Sequence, residues 1–301
     1  MVNELHPDLS SPSRVRALLA ELGIVPNKVL GQNFLIDRNV LGILLNALEP
    51  RPDDAVLEIG PGLGVVTEEL AGRCRHVVAV EKDERLHAYL GTRLGDRSGL
   101  ELRCADMQEE DAGRLMATGW AGCRAERGDK VVSNLPYSVG SRILVNLARL
   151  GEPPSRIVVT VQEEVGRRLT AREGDGDYGM LSVWLGIMYE PKLVKAVSPN
   201  CFWPRPEVRS AIVCMDRREP GLLGKEQREA LYGLTKLAFA QRRKQLATTL
   251  GSAGSGTGLD SGGVRDLLSS IGASPDARPE ALSIDRWCAI ARAFTAGASG
   301  P

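Results

Sequence analysis

"AVLEIGPGLG", Ala55 to Gly64, runs from β-type apolar residues straight into three glycines at alternate positions. The next ten residues, "VVTEELAGRC" (65–74), have a helical pattern. A short apolar run that stops in glycines and hands over to a helix is the strand, turn and helix of an α/β unit. Glycine lets the backbone turn sharply there and approach a ligand closely. The spacing is Gly60-x-Gly62-x-Gly64, with Val65 where the dinucleotide fingerprint G-x-G-x-x-G needs glycine, so a nicotinamide-dependent oxidoreductase is disfavoured. No G-K-[ST] comes after it, so the turn is not a P-loop.

Working outward, "HVVAVE" (76–81), "LELRCA" (100–105), "KVVSN" (130–134) and "RIVVTV" (156–161) read as further strands. The stretches between them have room for helices, most clearly "DERLHAYLGTRL" (83–94). Strands alternating with helices predict a mostly parallel sheet covered on both faces, the Rossmann-like α/β class. After a helical stripe, "YGMLSVWLGIMY" (178–189), two more strand-like runs, "KLVKAVSP" (192–199) and "EVRSAIVCMD" (207–216), predict an antiparallel hairpin at the sheet edge. Beyond that the pattern is helical only: "EALYGLTKLAFAQRRKQLATTL", "VRDLLSSIG" and "SIDRWCAIARAF". The chain therefore divides into an α/β domain over 1–217 and a small all-α domain over 218–301, with "GSAGSGTGLDSGG" (251–263) as a mobile loop.

Composition narrows the function classes. The 301 residues are 43% hydrophobic, enough for a sizeable core, and carry 38 basic against 38 acidic side chains. With no net charge, any attraction to a polyanion must come from local patches. Six cysteines without a C-x-x-C pair, and three scattered histidines, give no zinc site and no disulfide framework. No apolar run approaches the roughly 20 residues that cross a bilayer, and the N-terminus lacks a signal-peptide pattern. The expectation is a soluble cytoplasmic monomer that works without a metal.

Two acids sharpen the glycine loop. Glu81 ends the second strand, 21 residues after Gly60, where a carboxylate accepts bonds from ribose hydroxyls. Asp106 ends the third, within reach of an adenine amino group. Each acid alone could simply cap the next helix; in order after Gly60 and Gly62, they describe a nucleoside site. The combination resembles the S-adenosylmethionine-dependent methyltransferases. In that class the glycine loop accommodates the methionine portion, the first acid binds ribose and the second contacts adenine.

"SNLPYS" (133–138) fits such an enzyme. An amine on an aromatic base is a poor nucleophile because its lone pair is delocalised into the ring. Acceptors that hold its N–H groups aim the lone pair at the methyl. The side-chain oxygen of Asn134 and the carbonyl of Leu135 are suitable acceptors, Pro136 stiffens the loop, and Tyr137 offers a ring on which a flipped base can stack. The plainer alternative is an Asn–Pro turn with Tyr137 as packing.

"NKVLGQNFLID" (27–37), "EIGPGLG", "NLPY", "CFWPRPEVRSAIV" (201–213), "AFAQRRK" (238–244) and "RPEALSIDRW" together resemble the ribosomal RNA adenine N6,N6-dimethyltransferases, the KsgA family, from about Asn27 to Phe294. The resemblance implies S-adenosyl-L-methionine as cofactor and dimethylation of two adjacent adenosines in the hairpin near the 3′ end of small-subunit ribosomal RNA. It implies that Asn33 and Leu35 close over the cofactor, that Gly60, Gly62, Glu81, Asp106 and Asn134 complete its site, and that Phe202 covers the second face of the target adenine. Ser138 and Trp203 depart from the family pattern. The acid-free run around Arg242, Arg243 and Lys244, supported by Arg167, Arg168 and Arg172, is the expected RNA contact, though a charge run is also the ordinary dress of a solvated helix. The rivals are a macrolide-resistance methyltransferase acting on large-subunit RNA and a non-catalytic RNA-binding assembly or transcription factor on the same fold.

Overall fold

The computed structural model of the chain describes residue 9 and residues 11–26, 31–109, 129–136, 139–253 and 260–297. The chain forms two compact units: Met1–Gly166 with Lys192–Asp216, and Arg167–Pro191 with Arg217–Pro301.

The first unit is built on a sheet. Helix α1 (Pro12–Glu21) starts with Ser11 accepting a bond from the Arg14 amide, and α2 (Arg38–Leu48) starts with Asp37 accepting from Asn39 and Val40. Between them lies a two-residue strand, β1 (Phe34–Leu35). Next come β2 (Ala55–Ile59), α3 (Val65–Ala71), β3 (His76–Glu81), α4 (Glu84–Leu94) and β4 (Leu100–Cys104). Beyond them are β5 (Lys130–Asn134), α5 (Gly140–Ala148), β6 (Arg156–Gln162) and α6 (Glu163–Thr170). Strand β7 (Tyr189–Val197), the short β8 (Phe202–Trp203) and β9 (Ser210–Arg217) come last.

The main sheet has seven strands in the order β4-β3-β2-β5-β6-β9-β7. Its β2–β3, β3–β4, β2–β5 and β5–β6 pairs are parallel, and β9 runs antiparallel to β6. The expected edge hairpin is there, with β9 inside and β7 outermost. All of β2 is buried, as a sheet covered on both faces requires. From β2 the chain steps one way to β3 and β4, then returns to the other side of β2 for β5 and β6. The loops leaving the carboxyl ends of β2 and β5 therefore diverge, and an open α/β sheet binds its ligand in that crevice.

The second unit contains α7 (Met180–Gly186), α8 (Lys225–Ala240), α9 (Leu246–Ala253), α10 (Ser261–Ser270) and α11 (Ile284–Gly297). Trp184, Tyr178 and Trp287 are buried in it; the Trp184 and Tyr232 rings meet edge-on at 5.0 Å, and the Tyr178 hydroxyl donates to the Leu282 carbonyl at 2.8 Å.

Three sequence expectations change. The stretch 229–250 is two helices, because Gln241 leaves helical geometry (φ −121°, ψ 43°) and residues 241–244 are all exposed, so this turn has no apolar face to bury. The helical stripe at 178–189 is helix only through Gly186, and Tyr189 already begins β7. The glycine-rich stretch 251–263 shrinks from both ends. Gly251–Ala253 complete α9, Asp260 caps α10 by accepting from the Gly263 amide, and residues 254–259 lie outside the described part. Among the described residues, no helix is long and apolar enough to cross a membrane.

Candidate active site

The carboxyl ends of β2, β3, β4 and β5 open into a cavity of about 430 Å³, within the usual size range of small-molecule sites. Its floor is the glycine loop. Gly60, Gly62 and Gly64 all take positive φ (68°, 58° and 79°), a region closed to most side chains. Among the described residues, nothing lies within 4 Å of where a Cβ on Gly60 would stand, so a ligand can come down on the backbone. At Gly62 a Cβ would lie 3.1 Å from the Phe34 ring.

Glu81, at the end of β3, is buried and tied to the loop. One carboxylate oxygen accepts from the Gly62 amide at 3.0 Å and the other from the Asp83 amide at 2.9 Å. Burial raises its pKa above the usual carboxylate value, and the two amides offset only part of that. Asp106 is set differently. Burial opposes its charge too, but the Lys82 ammonium at 2.6 Å and the Gln108 amide at 2.9 Å outweigh that and hold it below its ordinary value. At the end of β5, the Ser133 hydroxyl donates to the Ile59 carbonyl at 2.5 Å, joining the two strands at the crevice. The Asn134 side chain donates its amide NH₂ to the Asn33 carbonyl at 2.8 Å. That bond uses the amide nitrogen and leaves the oxygen to serve as an acceptor.

The structure thus brings Asn33, Leu35, Gly60, Gly62, Glu81, Asp106, Asn134 and Pro136 onto one cavity. Leu135 has a buried side chain outside the lining, so only its main chain can serve the role expected of it. Tyr137 lies outside the described residues. Phe202 is 3% exposed, packs with Leu35, Val40 and Leu44 in the core, and does not line the cavity. In the second unit, Arg242, Arg243 and Lys244 are exposed on the turn between α8 and α9, and Arg242 donates to the Gly176 carbonyl at 3.0 Å.

Sequence reasoning missed Glu58 and Lys82, which also line the cavity. Lys82 is the residue after the strand-end acid and orients Asp106. Glu58 is the one polar residue inside "AVLEI", and that interruption was its signal. It is 3% exposed, and its Oε2 has no hydrogen-bond partner among the described residues. Burial, with the Glu81 charge acting in the same direction, pushes its pKa up to about 8. The arrangement fits an adenosyl cofactor. The glycine cradle suits an amino-acid tail, Glu81 a ribose, and Asp106 with the apolar Met107, Val139 and Ile143 an adenine.

The family model described as ribosomal RNA adenine dimethylase matches residues 25–294. The chain belongs to that family. A protein of Moorella thermoacetica named "Ribosomal RNA small subunit methyltransferase A" is 38% identical over 286 residues, covering 94% of this chain and 98% of the relative. One of the same name from Geobacter metallireducens is 38% identical over 276 residues, covering 91% and 97%. Among solved structures, the 23S rRNA methyltransferase ErmE superposes with a TM-score of 0.66 at 26% identity, covering 87% of this chain and all of that one. A dimethyladenosine transferase from Plasmodium falciparum reaches 0.73 at 20% identity, with 88% and 98% covered, and shares the fold. The Rossmann-like methyltransferase fold and the family membership expected from the motifs are thus both met.

Glu58 yields a pH prediction. Its folded pKa of about 8 lies above the ordinary carboxylate value, so its contribution to stability is fully present at low pH and is lost as pH rises toward 8. Glu58→Gln removes that dependence. Between pH 5 and 8 the variant gains on the wild type by at most roughly 1.4 kcal/mol per pH unit, read as a widening gap in denaturant or thermal unfolding. Parallel curves for the two proteins would show that Glu58 keeps an ordinary pKa.

Proposed function

We propose that this protein uses S-adenosyl-L-methionine to dimethylate the N6 amines of two adjacent adenosines in the 3′-terminal hairpin of small-subunit ribosomal RNA, as a cytoplasmic monomer acting during ribosome assembly. The observation that carries this reading is Asn134: an amide held by the Asn33 carbonyl, at the rim of the glycine-and-acid cavity, inside "NLPY". The relatives at 38% identity carry the small-subunit name, which favours this substrate over large-subunit RNA.

When bound, the cofactor supplies a methyl group on a sulfonium, already activated for transfer. The chain's own residues do the rest. Gly60 and Gly62 cradle the amino-acid tail, Glu81 accepts from the ribose, Asp106 accepts from the adenine amine, and Asn33 and Leu35 lie over the site. The Asn134 oxygen and the Leu135 carbonyl accept the two N–H bonds of the target amine, so its lone pair faces the methyl; Pro136 keeps the pair in place. Such positioning contributes several kcal/mol to lowering a barrier. As the nitrogen takes the methyl it gives up a proton to solvent. Tyr137 stacks on one face of the flipped adenine. For Phe202 to cover the other face, its ring must swing out of the core cluster it occupies. The helical segment 218–301 docks on the ribosomal subunit, with Arg242, Arg243 and Lys244 against RNA phosphates.

The direct test is labelled methyl transfer to small subunits lacking the modification, with the modified bases mapped. Label on N6 of two neighbouring adenosines is expected, and Asn134→Ala should depress turnover by about 100-fold or more while RNA affinity changes little. Label elsewhere, or near-normal turnover of Asn134→Ala at saturating cofactor, would overturn the assignment.

The basic turn is tested by salt. Each phosphate contact releases counterions, so the slope of log affinity against log salt counts contacts. Replacing Arg242, Arg243 and Lys244 by glutamine should lower that slope by up to about 2–3 for subunit binding, leaving cofactor affinity unchanged. An unaltered slope in a folded triple variant would return the turn to ordinary solvated surface.

A further inference from the structure

The β1–β8 ribbon has only two residues in each strand, too short to be stable by itself, and it is clamped from both faces. Phe34 stands opposite Trp203, and Leu35 opposite Phe202. Side chains alternate faces along a strand, and the two pairs go to different clusters. Leu35 and Phe202 join Val40, Leu44 and Ile212 under the sheet's helices. Phe34 and Trp203 join Val15, Leu19, Leu63 and Leu86 beneath α1.

From outside, Arg16 of α1 closes over Trp203, its guanidinium carbon 5.8 Å from the centre of the ring, within cation–π range. From inside, the Phe34 ring rests on the glycine loop at Gly62. A line of contact therefore runs Arg16–Trp203–Phe34–Gly62. Trp203 does not line the cavity; of the residues it packs among, Phe34 is its cross-strand partner and does line it. The neighbouring residue on the same segment, Asn33, is the one whose carbonyl holds the Asn134 amide. A smaller side chain at 203 would leave Phe34 unbacked and the whole Asn33–Leu35 segment free to lift.

We propose that Arg16 and Trp203 form a positioning pair that sets the height of the Asn33–Leu35 roof over the cavity, and through it both cofactor affinity and the orientation of Asn134. The inference rests on reading the cavity as an S-adenosylmethionine site. It gives Trp203, one of the two residues that depart from the family pattern, a task in this chain: its bulk fills the space between α1 and Phe34.

The experiment is S-adenosylmethionine binding to the full chain, by calorimetry and tryptophan emission, with turnover at saturating cofactor. Trp203→Ala should weaken binding about two- to ten-fold, the scale of an aromatic packing pair, and lower turnover as well, because Asn134 loses its fixed partner. Trp203→Phe should restore most of both while abolishing the cofactor-induced change in emission. Arg16→Gln should weaken binding about two- to five-fold, and Arg16→Lys should recover it. Arg16 is exposed, so its variants fold normally and carry the test if Trp203→Ala does not. A folded Arg16→Gln protein with wild-type affinity and turnover, or a folded Trp203→Ala protein with both unchanged, overturns the positioning pair alone. A wild-type chain that takes up no S-adenosylmethionine overturns the reading of the cavity, and the pair with it.

Discussion

The site hangs on a carboxylate bonded to a glycine amide: Glu81 at the end of β3 and Gly62 in the loop leaving β2, 3.0 Å apart. β2 and β3 are adjacent parallel strands, so one side chain spans the exits of both and fixes the loop in a conformation open only to glycine. Burying a carboxylate is costly unless donors compensate. Two backbone amides do so in part here, and each oxygen keeps a lone pair for a further donor. The same group therefore shapes the cradle and offers the acceptors a ribose needs.

The opposite wall obeys the same logic. β5 ends in Ser133, locked to the Ile59 carbonyl, and then Asn134, locked to the Asn33 carbonyl. The end of β5, the end of β2 and the Asn33–Leu35 segment are thus joined across the crevice by side-chain bonds to main chain. A methyl donor and an amine acceptor must meet within a fraction of an ångström, and bonds from rigid strand ends give that control better than a mobile loop would.

Much of this was legible in the sequence because strands buried on both faces are short apolar runs: "HVVAVE" and "KVVSN" end where the structure ends β3 and β5, and "AVLEIG" overruns the end of β2 by one residue. Spacing then carried the acids to the strand ends. The β1–β8 ribbon was not legible as structure, since two-residue strands have no periodicity and find their partner only after some 170 residues of intervening chain have folded. Nor was the break at Gln241, where helix-forming residues lack a face to bury. Glu58 looked like noise in a strand, and its meaning lies in burial beside a second acid, which only three dimensions supply. Phe202 shows the limit of motif reasoning: the pattern names an aromatic, but packing decides where its ring rests, and here it rests in the core.

Calorimetry of S-adenosylmethionine binding to Glu81→Ala, with circular dichroism to confirm folding, tests the central claim most directly. Loss of a charge-assisted acceptor should weaken binding by about 1.5–3 kcal/mol, with more lost where the glycine loop also relaxes. A folded variant that binds the cofactor as tightly as the wild type would contradict the account, because neither the loop nor the ribose site could then depend on Glu81.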